Sequence, residues 1–166
     1  TNVPYDNRGI GGRALPYSNT ENRIFLGGGG GAGQSNNPDG FQAPGGNGGG
    51  IILITANTLV ANGHVIKADG YAGFTCNGTN TYCHEGMGGG GAGGSILLGI
   101  QTYTDPAAAI ARGGKGADMV AVGIGRLGPG GGGSGGIVWT TGTATLSLTS
   151  TITGGNNGTN TGSGND

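Results

Sequence analysis

Apolar residues arrive along this chain in short runs, each delivered by a tract of glycine. Ile51-Ile52-Leu53-Ile54-Thr55 follows residues 45–50, where only Asn47 interrupts the glycines. Ser95-Ile96-Leu97-Leu98 follows residues 88–94, broken only by Ala92, and Ile137-Val138-Trp139-Thr140 follows residues 130–136, broken only by Ser134. The leading isoleucines Ile51, Ile96 and Ile137 stand 45 and then 41 residues apart, a spacing typical of stacked repeat units. Ile24-Phe25-Leu26, ahead of residues 27–33, reads as the same alternation beginning with its strand.

A second, more polar strand follows each of the three: His64-Val65-Ile66-Lys67-Ala68, Ala108-Ala109-Ile110-Ala111, and residues 146–152. The last alternates with period two and should be half-buried. Asn62-Gly63, two residues that tolerate positive φ, predicts a tight hairpin turn. No stretch carries the capped, 3.6-residue periodicity of a helix.

Flexible linkers are the ordinary reading of dense glycine, but linkers are not punctuated by Ile-Ile-Leu-Ile, which must be covered to avoid aggregation. Collagen needs glycine at every third position and abundant proline, whereas these glycines are contiguous and there are only 6 prolines. The expected fold class is therefore all-β with polyglycine-II-like segments, in stacked repeats of strand and glycine tract that cover the apolar strands, with little or no α-helix. Residues 1–155 read as one module of a larger protein, and 156–166, without an apolar residue, as a flexible polar tail.

Composition sharpens this. With 45 glycines in 166 residues and 33% apolar content, an ordinary core is out of reach, and backbone hydrogen bonding must supply the order. A formal net charge of -1 gives no basic footprint for nucleic acid. No apolar run approaches the roughly 18 to 20 residues of a membrane span. Thr1 leads straight into Tyr5-Asp6-Asn7-Arg8-Gly9 without a signal-peptide pattern, so the chain reads as an interior piece. Cys76 and Cys83 bracket a polar segment that predicts a small disulfide loop, with two free thiols as the alternative. Sparse charge and abundant Asn, Thr and Gly favour the outside of a cell.

Candidate chemistry is thin. Gly-x-Gly-x-x-Gly recurs by necessity in such a chain, and Lys115 is followed by Gly116 rather than the Ser or Thr of a P-loop. Residues 113–121 match the Gly-Gly-x-Gly-x-Asp pattern of calcium-binding β-rolls, which makes Asp118 a candidate calcium ligand and a calcium-binding β-roll one reading of the module. His84 and Glu85 beside Cys83 have the residue types of a metal site, but that site would compete with the disulfide. His64 reads as a strand residue, and no Ser, His and Asp grouping supports catalysis, so a non-enzymatic role is expected, without a cofactor. Tyr71, Phe74 and Tyr82, near the cysteine loop, are candidate ligand contacts for stacking against a sugar, which makes a carbohydrate-binding module a further alternative. Trp139 reads as a packing residue over glycine backbone.

Tyr5-Asp6-Asn7-Arg8-Gly9-Ile10-Gly11-Gly12, the run from Ile24 into the first glycine tract, residues 45–54, the Cys76 and Cys83-His84 excursion, and residues 128–136 together resemble a region of very large Bacteroidetes surface proteins. Such proteins commonly carry gliding-motility-associated or type IX secretion C-terminal domains. The resemblance covers nearly the whole chain and implies export, attachment at the bacterial cell surface, and a structural or adhesive role in a large extracellular protein or fibre. Expected partners are neighbouring domains of the parent protein, another copy through strand edges, and a cell-surface glycan or protein. More distantly, the composition resembles phage tail-tip adhesins with bundled polyglycine helices.

Overall fold

The structure, a computed structural model, describes residues 9–14, 23–34, 43–75, 86–120, 128–141 and 147–160. Six strands lie among them: β1 (Ile51–Leu59), β2 (Val65–Lys67), β3 (Ser95–Tyr103), β4 (Ala107–Ile110), β5 (Ile137–Thr141) and β6 (Leu148–Thr151). Odd-numbered strands make one parallel sheet in the order β1-β3-β5, and even-numbered strands make a second, β2-β4-β6. The chain crosses from one sheet to the other after every first strand. Between β1 and β2 it does so at Asn62 (φ 48) and Gly63 (φ 75), a turn closed by the His64 amide on the Ala61 carbonyl at 2.8 Å. The Asp105 carboxylate, just past β3, fixes this corner by accepting the amides of Ala61 at 2.9 Å and Asn62 at 2.6 Å.

Period-two alternation decides which face is buried. Ile96, Leu98 and Ile100 of β3 point inward with Ile52, Ile54 and Val138, and meet Ile66, Ala109 and Ala111 from the second sheet. The large side chains of the first sheet thus meet mostly alanines, with Ile66 and Leu148 the larger residues on that side, and this packing is the apolar core. On the outer face Leu53, Leu97 and Trp139 stand in one row across the first sheet.

Beyond the sheets, the glycine-rich segments run side by side and exchange backbone hydrogen bonds. Within residues 86–94 the donors change direction with a period of three. Gly89 and Ala92 donate to Gly31 and Gly28, Gly90 and Gly93 to Gly131 and Ser134, and Gly91 and Gly94 to Tyr71 and Ala68, all at 2.8 to 2.9 Å. Carbonyls of the same segment accept from Gly12, from Gly46 and Gly49, and from Gly114 and Ala117. Residues 86–94 are accordingly buried throughout, enclosed by segments 9–14, 27–33, 43–50, 68–75, 111–120 and 128–136. Burial along 43–50 keeps the same period: Ala43, Gly46 and Gly49 are buried while Pro44, Asn47 and Gly50 are exposed.

Five expectations are corrected. The chain is not an all-β stack of strand-and-tract repeats, because strand is confined to two small parallel sheets and most described residues belong to no strand. Strand faces are covered by the opposite sheet rather than by glycine tracts. Asn62-Gly63 makes no hairpin, since β1 and β2 sit in different sheets, and the repeat register differs by one residue: Ile51 stands opposite Ser95, and Ile52 opposite Ile96. A slip of one residue exchanges the inner and outer faces of a strand, so the difference decides which isoleucines form the core. Finally, the body extends through residues 156–160, where Asn156, Gly158 and Thr159 bond to Gly116, Gly130 and Met119; lack of apolar side chains does not imply disorder when the backbone itself holds the segment.

Candidate contact surface

One edge of the molecule is built by segments 43–50 and 68–75. The Tyr71 amide donates to the Asn47 carbonyl at 2.8 Å, and the Phe74 amide to the Pro44 carbonyl at 3.1 Å. Meanwhile the Tyr71 carbonyl accepts the amide of Gly91 at 2.9 Å. With its backbone bonded to two neighbours, the segment turns its aromatic side chains outward: Tyr71 is 71% exposed and Phe74 52%. The two residues are one three-residue step apart, about 9 Å along an extended chain rising ~3.1 Å per residue.

Beside Tyr71, a depression of about 410 Å³ is floored by Gly48, Gly49 and Gly50 and bordered by Lys67 and Asp69. Its Asp69 carboxylate is already engaged, accepting the Arg112 amide at 2.8 Å and the Arg112 guanidinium at 3.2 Å. What the depression offers a ligand is therefore an ammonium, a phenol and a flat glycine floor, suited to stacking and hydrogen bonding rather than to bond-breaking chemistry.

Asp118 lies on the neighbouring face. Its carboxylate accepts the Lys115 ammonium at 2.6 Å, the Thr159 amide at 2.7 Å and the Thr159 hydroxyl at 2.9 Å, and its own amide reaches the Thr75 hydroxyl at 3.4 Å. The Lys115 hydrogen bond, followed by the Thr159 amide, holds the Asp118 carboxyl below the usual carboxylate value. This arrangement is a brace across segments 68–75, 111–120 and 152–160. Among the described residues no group of three or more His, Cys, Asp or Glu converges on a metal-sized site.

Of the other residues singled out from sequence, Cys76, Cys83, Tyr82, His84 and Glu85 lie outside the described residues. Tyr71 and Phe74 are brought together on one face; Asp118 is on another. His64 is exposed just before β2, and Trp139 is half-buried opposite Leu97 on the outer face of the first sheet. Sequence reasoning missed Asp69, Arg112 and Asn157. The recurrence of Arg112, Lys115 and Asp118 at every third residue was a readable sign of Arg112, because in an extended chain with a three-residue period such side chains share one face; Asp69, 43 residues from Arg112, carried no such signal. Among the described residues no helix is long and apolar enough to cross a membrane.

No known protein family, curated protein or solved structure matches the sequence.

Proposed function

We propose that this chain is a structural and adhesive module of a large extracellular bacterial surface protein or fibre, non-enzymatic, with the Tyr71 and Phe74 edge as its contact surface. The observation that carries the reading is the enclosure of residues 86–94, whose amides and carbonyls bond to neighbours in every direction. Such a centre makes a stiff scaffold, and it presents two exposed aromatic rings on backbone that is itself hydrogen-bonded to that centre. Preorganised aromatic contacts lose little conformational entropy on binding. The test is attachment of beads carrying the intact chain to bacterial cells and to their extracted extracellular polysaccharide. The module should attach, and Tyr71→Ala with Phe74→Ala should release it; attachment that is nil, or unchanged by both substitutions, overturns the reading.

The spacing of Tyr71 and Phe74 favours one narrower reading, a carbohydrate-binding role in which the two rings stack on sugars of an extended glycan. A glycan array probed with the wild-type chain and the double alanine variant decides it. Selective retention of one extended polysaccharide class, lost in the variant, supports this reading, and contact with protein receptors alone excludes it.

A further inference from the structure

Four asparagines are followed directly by glycine: Asn47, Asn62, Asn77 and Asn157. This dipeptide is prone to spontaneous deamidation, because a glycine without a β-carbon leaves its nitrogen open to attack the asparagine side chain. For that attack the nitrogen must swing toward the side-chain carbonyl carbon, so the peptide group between the two residues must be free to turn. Asn77-Gly78 lies outside the described residues. The fold treats the other three differently.

Two of them are held by the glycine segments. The Asn47 carbonyl accepts the Tyr71 amide at 2.8 Å and lies so close to Gly91 that a β-carbon there would collide with it. The Gly158 amide donates to the Gly130 carbonyl at 2.8 Å, and the Asn157 side-chain carbonyl accepts the Gly132 amide at 2.9 Å. Turning either peptide group breaks hydrogen bonds between segments. Asn62-Gly63 has no such tie: among the described residues neither the Asn62 carbonyl nor the Gly63 amide bonds to another backbone group. Both residues are exposed, and nothing lies within 4 Å of a β-carbon placed on Gly63. The Gly63 amide faces the Asp105 carboxylate, which also holds the Ala61 and Asn62 amides. That contact is at the surface, where water replaces it at little cost.

We propose that, among the described residues, Asn62 is the site of spontaneous deamidation, converting well ahead of Asn47 and Asn157. The Gly63 nitrogen loses its proton to solvent base and bonds to Asn62 Cγ, while the side-chain nitrogen takes up a proton and leaves as ammonia. Water then opens the resulting succinimide at either carbonyl, giving aspartate or isoaspartate. One water is consumed and one ammonia released, with no oxidant, cofactor or enzyme. The product carries a carboxylate beside Asp105, whose oxygen already lies 2.6 Å from the Asn62 amide, and like charges so placed repel. Isoaspartate also adds a carbon to the backbone that links the two sheets. Deamidation therefore loosens the corner between β1 and β2, and it accumulates with the age of the molecule. The proposal does not depend on the adhesive reading.

Peptide mapping of the intact chain, held at mildly alkaline pH and sampled over weeks, tests it. Conversion at Asn62 should run at least about tenfold ahead of Asn47 and Asn157, the factor expected where hydrogen bonds between segments must break first. In denaturant the three positions should convert at similar rates, because the dipeptide alone then sets the rate. Asn62→Asp reproduces the aspartate product and tolerates the positive φ of 48 at this position. It should melt below the wild type, and the difference should shrink in an Asp105→Asn background. Asn47 or Asn157 keeping pace with Asn62 in the folded chain, an Asn62 that survives folding conditions as long as they do, or an Asn62→Asp variant that melts with the wild type overturns the proposal.

Discussion

The amide of Gly91 donates to the carbonyl of Tyr71 at 2.9 Å, so the buried centre of the molecule is bonded directly to a residue of its exposed aromatic edge. A side chain at Gly91 would collide with the backbone of Asn47 and Gly46. Backbone cannot rotate away as a side-chain tip can, so Gly91→Ala should destabilise by at least about 3 kcal/mol, the upper range for overpacking. Gly50 is the control. Nothing lies near a methyl group placed there, and its φ is not positive, so Gly50→Ala should be neutral or stabilise by up to about 1 kcal/mol through the unfolded chain. Denaturant midpoints of the two variants measure the contrast.

Leu98 and Leu53 make the corresponding pair for the sheets. Leu98 is fully buried between them and Leu53 is 61% exposed. Truncation to alanine should cost about 2–5 kcal/mol at Leu98 and stay within about 0.5 kcal/mol at Leu53. A larger loss at Leu53 than at Leu98 would mean that the sheet faces are assigned the wrong way round.

Acid should loosen the braces. The carboxyls of Asp118 and Asp105 are both held below their ordinary value of 3.8, the first chiefly by Lys115 and the second chiefly by the Ala61 amide. A depressed folded-state value contributes stability that is complete well above 3.8 and is lost as pH falls through 3.8 toward the lower folded value. Thermal melts between pH 7 and pH 3 should therefore decline at the acid end, and Asp118→Asn with Asp105→Asn should flatten that decline while lowering stability at neutral pH. Both carboxylates are close to solvent, so added salt should weaken the Lys115 contribution.

Tyr71 and Phe74 contribute through their backbones to the fold and through their rings to contact. Tyr71→Ala and Phe74→Ala should leave the melting temperature nearly unchanged, with a stability effect within about 0.5 kcal/mol each, while attachment to cells or glycan is lost. Parallel melts and binding curves on the same preparations separate the two roles.

Much of the strand pattern is legible in the sequence because it is carried by side chains. Ile51, Ser95 and Ile137 mark the starts of β1, β3 and β5, and each follows a glycine tract as the alternation suggests. Pairing partners are harder to read. Asn62-Gly63 specifies a turn, but whether the next strand pairs with β1 or crosses to another sheet depends on Asp105, more than forty residues away, taking the turn's amides. The glycine segments conceal most, since a residue without a side chain records no face. Period three surfaces in the sequence only where polar residues punctuate it, as at Arg112, Lys115 and Asp118. Asn157 carries no local signal at all: its role exists only because Gly132 is alongside it.

The rigid-scaffold account is tested most directly by amide hydrogen exchange at Gly89, Gly90, Gly91, Gly93 and Gly94, compared with Ile96 and Leu98 of β3. Each of these glycine amides has a backbone acceptor in a neighbouring segment, and protection matching that of β3 is the predicted result. Exchange at the rate of an unstructured chain would show the tracts to be linkers and would contradict the account.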